Sequence, residues 1–356
     1  MTARPWLARF GIIVAGLLGV LAITSCGEGD ASPPHAAAWQ HRFSFPAQSS
    51  PAIVDGTVYV GESDNSVYAL RAATGKIVWK RRTRYYVTSS PALAHGSVYV
   101  GSDDGRFYAL NAATGKVRWT YNTQAENVSS PAVVGQTVYF GSDNHGIYAL
   151  NTSTGRPRWD FQTAGDVVSS PAVAGGVVFE GSDDGEVYAL DASTGQVRWI
   201  RPTGGPVASS PVVVGGTVFV GSADHKVYAL NAATGAVRWA HTTGNIVLSS
   251  PAVSGGAVYI GSDDDKVYAL DARTGKVRWT CQTGGEVDSS PVVVGGTVYV
   301  GSNDGRLYAI DAADGTVRWT HTTSNIIVTR PAVYNGTVYF GDQNGTVYAL
   351  NAATGS

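Results

Sequence analysis

Residues 89–123 read SSPALAHGSVYVGSDDGRFYALNAATGKVRWTYNT. Ser90 to Ala94 is a short apolar run, and His95-Gly96 is a turn. Ser97 to Gly101 alternates β-branched and aromatic residues, as a strand does. Ser102 to Gly105 is turn chemistry, where Asp bonds nearby backbone and Gly accepts a positive φ. Arg106 to Asn111 is a further strand, Ala112 to Gly115 turns again, and Lys116 to Thr123 is a fourth strand. The unit then recurs. Pro51, Pro91, Pro131, Pro171, Pro211, Pro251, Pro291 and Pro331 are spaced by 40 residues without a slip. Ser-Ser precedes the first seven of these prolines and Thr329-Arg330 the eighth. Trp39, Trp79, Trp119, Trp159, Trp199, Trp239, Trp279 and Trp319 keep the same period. Four short strands in about 40 residues, joined by Gly and Asp turns, are the mark of a propeller blade.

The chain's ends complete the count. It stops at Ala353-Thr354-Gly355-Ser356, the turn before a fourth strand. The segment Ala38 to Phe43 reads as a fourth strand lacking its first three. The prediction is therefore an all-β, eight-bladed β-propeller over residues 38–356, whose last blade is closed by the N-terminal strand. Closure removes the sheet edges that an open array would expose. Trp is the largest apolar wedge available for the seams between blades. The small residues of the first strand suit the crowded axis. Arg118 and its counterparts beside each later Trp read as protection of the outer edge.

Composition agrees. The 356 residues include 44 Gly, well above the usual share of about 7 %. With 44 % hydrophobic residues the chain is not a disordered one. A net charge of −2 gives no electrostatic case for a nucleic-acid partner. Two cysteines, Cys26 and Cys281, make no disulfide scaffold, and Cys281 reads as a buried apolar side chain.

Residues 1–25 read as an export signal. Arg4 and Arg9 form a basic start, and Phe10 to Ile23 is an apolar run too short for a comfortable membrane span. Ile23-Thr24-Ser25-Cys26 resembles the bacterial lipobox, which implies lipidation at Cys26. Residues 26–37 then form a lipidated tether. These features predict an exported chain anchored to a membrane. The site is the periplasmic face of an outer membrane, or the outer face of the plasma membrane in a single-membrane host.

The run A-x-[DN]-x-x-T-G-x-x-x-W, following V-Y-V-G-S and Y-A-L, resembles the tryptophan-docking repeat of the PQQ-like, quinoprotein-type β-propellers. In plan the chain is similar to the B-subunit lipoprotein of the outer-membrane β-barrel assembly machinery. The resemblance to the quinoprotein enzymes implies a quinone over the ring axis, a calcium ion and a pair of adjacent cysteines. No vicinal cysteines occur here, every unit has the same length, and no Glu-Asn-Asp set matches a calcium site. No catalytic, cofactor or metal residues are assigned. The Asp-rich turns at Asp103-Asp104, Asp183-Asp184 and Asp263-Asp264-Asp265 lack the spaced oxygen donors of a calcium loop. His41, His241 and His321 read as outer-edge side chains too far apart to share a metal.

Symmetry-breaking positions carry the functional reading. The linkers into the first strands mostly read Thr-Gly-Gly-x-Val. Two depart from this: Arg42-Phe43-Ser44-Phe45-Pro46 and Arg81-Arg82-Thr83-Arg84-Tyr85-Tyr86. Arg330 replaces a Ser beside them, and Asp288 lies one blade back. Arg and Tyr are enriched in binding hot spots. The candidate partner-binding set is Arg84, Tyr85, Tyr86, Phe43, Phe45, Arg330 and Asp288, with Glu126, Asp166 and Glu286 marking mildly acidic sectors. Glu180 breaks an apolar column, and the sequence leaves its environment open. The function expected is a non-catalytic, membrane-anchored scaffold, a monomeric propeller presenting one face to protein partners. A cell-wall or carbohydrate binder and a quinone-dependent dehydrogenase are the alternatives.

Overall fold

The computed structural model describes residues 38–356; the expected signal, Cys26 and the tether lie outside the described residues. Eight four-stranded antiparallel sheets make up the described residues. Blade 2 shows the pattern, with strands Ala92–Ala94, Ser97–Ser102, Arg106–Asn111 and Val117–Asn122. Its first hairpin turns through His95 and Gly96 at φ 51° and 64°, the paired positive values that match the twist of two-residue hairpins. The remaining blades repeat this plan, and no helix occurs among the described residues.

Blade 8 combines Ala332–Tyr334, Thr337–Gly341 and Thr346–Asn351 with the N-terminal strand Trp39–Arg42. Trp39 pairs with Ala349, Gln40 with Tyr348, His41 with Val347 and Arg42 with Thr346. Blade 2 uses the same register, Trp119 with Ala109 and Asn122 with Arg106. The N-terminal segment thus takes the place of the fourth strand that the C-terminal turn lacks.

Two sets of hydrogen bonds join the blades. On the outer side, each Trp indole donates to a carbonyl of the next blade. Trp119 donates to Thr152 at 2.9 Å, and Trp39 carries the chain of contacts across the closure to Ala72 at 2.7 Å. The ring lies flat on a Gly turn: a Cβ on Gly75, at φ +66°, would sit 2.5 Å from the Trp39 ring. That position requires both the positive φ and the missing side chain. On the inner side, first strands of adjacent blades are neighbours and line the axis. The Ser50 amide donates to Ser90 Oγ at 2.8 Å, and the Ser90 amide to Ser130 Oγ at 3.0 Å. Arg330 N–H returns the ring to Ser50 Oγ at 2.8 Å. The first Ser of each pair serves its own blade, as when Ser89 Oγ accepts from Gly101 at 3.1 Å. The repeated Ser-Ser satisfies buried amides of the innermost strands.

Apolar residues fill the seams, each cluster drawing on two adjacent blades, for example Tyr99, Phe107, Phe140 and Tyr148. Two kinds of side chain on the outermost strands make defined contacts. The arginines beside the tryptophans bind the ends of their own blades: Arg118 donates to Gly96 O at 3.1 Å, and Arg318 pairs with Asp311 at 2.7 Å. The outer-strand histidines pack against aromatic rings. His241 lies edge-on to Tyr268 at 5.7 Å, and burial lowers its pKa.

Candidate functional site on the linker face

The two ends of the ring differ in what they expose. The turn end carries the first hairpins and the Ala112–Gly115 turns, tied by Ala112 N–H to Gly96 O at 3.0 Å. The other end carries the linkers into each first strand and the hairpins between second and third strands. Asp103 N–H joins these by donating to Tyr86 O at 2.9 Å. Every symmetry-breaking linker of the sequence lies at this end.

An open groove of about 690 Å³ lies there between blades 2 and 3, lined by Arg84, Tyr85, Asp103, Asp104, Gly105, Gln124, Ala125, Glu126 and Asp143. Tyr85 and Tyr86 stack with ring centroids 4.4 Å apart and are 49 % and 38 % exposed. Arg84 is exposed, and its backbone N–H is fixed by Asp104 Oδ2 at 3.0 Å. Asp104 is committed to the hairpin, accepting also from Arg106 N–H at 3.0 Å and Tyr108 O–H at 2.6 Å. Burial, then the Asp104 carboxylate, raises the Tyr108 pKa. Asp103 accepts from Thr88 Oγ1 at 2.8 Å. The groove therefore has a cationic, aromatic rim and an acidic floor.

Other expected site residues fall in different places. Phe45 is 48 % exposed on the linker face. Phe43 is not available to a partner: it is 7 % exposed and packs on Tyr68 with centroids 4.5 Å apart. The strand period turned it inward, which the aromatic composition of the linker concealed. Arg330 lies at the axis, and burial lowers its pKa to about 10. Asp288 is 4 % exposed and accepts from Asn303 Nδ2 at 2.8 Å. These residues do not form one continuous basic sector. The hairpin aspartates Asp103, Asp143 and Asp183 place carboxylates on the same face as Arg84. The sequence reading took Asp103 and Asp183 only as turn residues and did not single out Asp143, although the recurrence at a fixed offset was the available signal.

Two buried glutamates lie elsewhere. Glu180 is fully buried and accepts from Ser169 Oγ at 2.7 Å, and burial raises its pKa well above 4.5. Glu62 stands where other blades carry Ser102 or Ser222, is fully buried, and has its pKa raised by burial and then by Asp64 and Asp342. The departure of Glu62 from a Ser column was readable and was missed.

Among the described residues, no three His, Cys, Asp or Glu side chains are grouped to hold a metal ion. A quinone pocket of the kind implied by the resemblance does not fit these residues. Cys281 has no adjacent cysteine and packs in the seam with Trp279, Val298 and Tyr308.

Fold and site together define a closed PQQ-like β-propeller with a polar, aromatic groove on its linker face. The chain belongs to the family described as outer membrane protein assembly factor BamB, matched over residues 32–166, 128–247 and 241–356. Among solved structures it is similar to BamB from Moraxella catarrhalis, with 20 % identity, a TM-score of 0.77 and coverage of 87 % of this chain and 98 % of that one. The computationally designed Ika8 protein matches at 18 % identity and a TM-score of 0.77, covering 86 % and 96 %. Quinohemoprotein alcohol dehydrogenase from Comamonas testosteroni matches at 18 % identity and a TM-score of 0.76, covering 90 % and 76 %. At these identities the structural likenesses show the fold alone. No curated protein matches the sequence.

Proposed function

We propose that this chain is a non-catalytic scaffold, exported and lipid-anchored through Cys26, that docks a protein partner on its linker face. Membership of the BamB family supports an assembly role. The observation that carries the choice of face is the exposed, stacked Tyr85–Tyr86 pair beside Arg84 on the rim of the groove. The repeat does not require these residues, and Tyr and Arg are effective anchors where water is excluded. The chain before Trp39 enters at the turn end, since Trp39 lies on Gly75 of that end. Residues 27–38 reach at most about 45 Å when extended. The turn face then lies toward the membrane and the linker face looks outward.

The partner to test is the soluble periplasmic part of an outer-membrane β-barrel assembly protein. Binding by calorimetry should be saturable with the wild-type chain. It should be lost when Arg84, Tyr85 and Tyr86 are all changed to Ala, with the melting temperature unchanged. Binding that survives this change but is lost on replacing Glu126, Asp166 and Glu286 would place the interface on the acidic sectors instead. A glycan screen addresses the second reading, in which the same exposed tyrosines and Phe45 stack on sugar rings. Anchoring is tested separately: Cys26→Ser should abolish incorporation of labelled fatty acid.

A further inference from the structure

The two ends of the ring carry opposite charge. Each blade's first hairpin, and the turn between its third and fourth strands, form the turn end, at positions equivalent to 93–98 and 110–118 of blade 2 by the 40-residue period. Those positions hold twelve Lys or Arg against five Asp and no Glu. The rest of residues 38–356, toward the linker end, hold eleven Lys or Arg against twenty Asp or Glu. The formal side-chain charge is therefore +7 at the turn end and −9 at the linker end. Three of the turn-end acids are already held by arginines of their own blades: Asp191 by Arg198, Asp271 by Arg278 and Asp311 by Arg318. The fold does not require the basic surplus. Lys76, Lys116, Arg156 and Lys276, all exposed, occupy a position where other blades have Gln196, Ala236 and Thr316.

The same end carries most of the exposed apolar side chains. Val54, Val134, Val214 and Val294 end their first strands and are 41–50 % exposed. Ile77, Val117, Val237 and their counterparts begin the fourth strands and are exposed as well. The linker end adds only Phe45, Tyr85, Tyr86 and Ile200. The hairpin tips beside the valines stand clear of the ring: a Cβ on Gly175, Gly215 or Gly295 would meet nothing within 4 Å. Exposed basic and apolar groups on one surface match an anionic bilayer, with cations at the phosphates and apolar groups at the acyl boundary. The chain before Trp39 also joins the ring here, where the Trp39 ring lies on Gly75 beside Lys76. An anchor on that segment sets this surface toward the bilayer.

We propose that the turn face is itself a membrane-docking surface, which places its basic side chains on the headgroups of an anionic bilayer and its exposed valines at the interface. This goes beyond anchoring at Cys26, because charge and apolar contact act without an acyl chain. It is also independent of which partner the linker face docks.

Residues 27–356 contain the whole closed ring and lack the expected signal and Cys26, so their binding reads the surface alone. The chain should co-sediment with vesicles of phosphatidylglycerol and phosphatidylcholine in equal parts, and not with phosphatidylcholine alone. About 0.5 M NaCl, where the Debye length is about 4 Å, should release most of it. Lys76→Gln, Lys116→Gln, Arg156→Gln and Lys276→Gln together should cut partitioning at least about tenfold, since each such charge near an anionic surface contributes a factor of about five. Arg106→Gln, Lys226→Gln, Lys266→Gln and Arg306→Gln remove four charges from the linker end and should change it less than about twofold, being screened at that distance. Val54→Ser, Val134→Ser, Val214→Ser and Val294→Ser, which copy Ser254 of blade 6, should weaken it at least about threefold as interfacial apolar area falls. Unchanged melting temperatures show that the variants fold. Equal binding to both kinds of vesicle, or equal losses from the turn-end and linker-end Gln sets, would overturn the proposal. So would full binding by the Ser set. Sedimentation velocity without vesicles is the remaining arm: self-association that is lost in the turn-end Gln set would assign the basic face to the acidic face of a second copy and refute membrane docking. Fatty-acid labelling of Cys26 reads anchoring separately, so failure here leaves that reading standing.

Discussion

A double-mutant cycle on Trp39 and Gly75 tests whether blade 8 is sealed to blade 1 as tightly as the other seams are. The indole donates to Ala72 O at 2.7 Å and faces a glycine whose added Cβ would lie 2.5 Å from the ring. Truncating a core Trp costs about 3–5 kcal/mol. Trp39 is half-buried, so Trp39→Ala should cost about 2–3 kcal/mol, of which about 1 is the hydrogen bond. Gly75→Ala carries two penalties. The left-handed backbone costs about 1–2 kcal/mol, and crowding against the indole costs about 1–3 more. With Trp39 already truncated, only the backbone penalty remains. The double variant should therefore be about 1–3 kcal/mol more stable than the two single losses predict. Trp199 and Gly235 supply the internal reference, with an indole bond of 2.9 Å to Ala232 and a Cβ contact of 2.7 Å. Urea unfolding followed by circular dichroism provides all seven free energies, the wild type serving both cycles. A coupling below about 0.5 kcal/mol at Trp39–Gly75, with full coupling at Trp199–Gly235, would refute closure through the N-terminal strand.

Glu62 and Glu180 should make the protein less stable as pH rises. Burial lifts both folded-state pKa values well above 4.5, so the unfolded chain releases protons that the folded ring retains. Their stabilising contribution is complete below about 4.5 and falls through the range up to the folded value, by about 1.4 kcal/mol per pH unit for each group. Scanning calorimetry at pH 5 and pH 8 should show Glu62→Gln and Glu180→Gln raising the melting temperature, relative to wild type, more at pH 8. Equal differences at the two pH values would mean that these carboxyls titrate alike in the folded and unfolded chains. Cys281 is 6 % exposed, and burial raises its thiol pKa. In a Cys26→Ser background, iodoacetamide should label it only as urea unfolds the ring, by mass spectrometry, and rapid labelling of the native chain would contradict the packed seam.

What the sequence made readable follows from how the repeat is built. Pro, Ser-Ser, Gly and Trp recur because each meets one geometric demand in every blade: an axial amide to satisfy, a positive φ, a seam to fill. One unit therefore specifies the strands, and the period specifies the ring. The functional face was readable only in part, because function here lies in departures from the period and their meaning depends on direction. Phe43 and Phe45 are two residues apart, yet Phe43 packs on Tyr68 while Phe45 meets solvent, a difference of local backbone path that composition does not carry. Tyr85 and Arg84 were identifiable as exceptions. Their acidic counterparts were not, because Asp103 and Asp143 are regular turn residues that become part of a groove only when neighbouring blades bring hairpin and linker together. Asp288 shows the same limit from the other side. As an isolated acid it was assigned to the neighbourhood of Arg330, one blade on. The fold instead holds it at the second hairpin of the preceding blade, where Val287 N–H donates to Ser262 O at 3.2 Å across 25 positions of sequence. Within one blade, side-chain alternation shows which face a residue shares. Across a seam, the partner is set by the lateral offset between adjacent blades, and a strand-by-strand reading does not contain that offset.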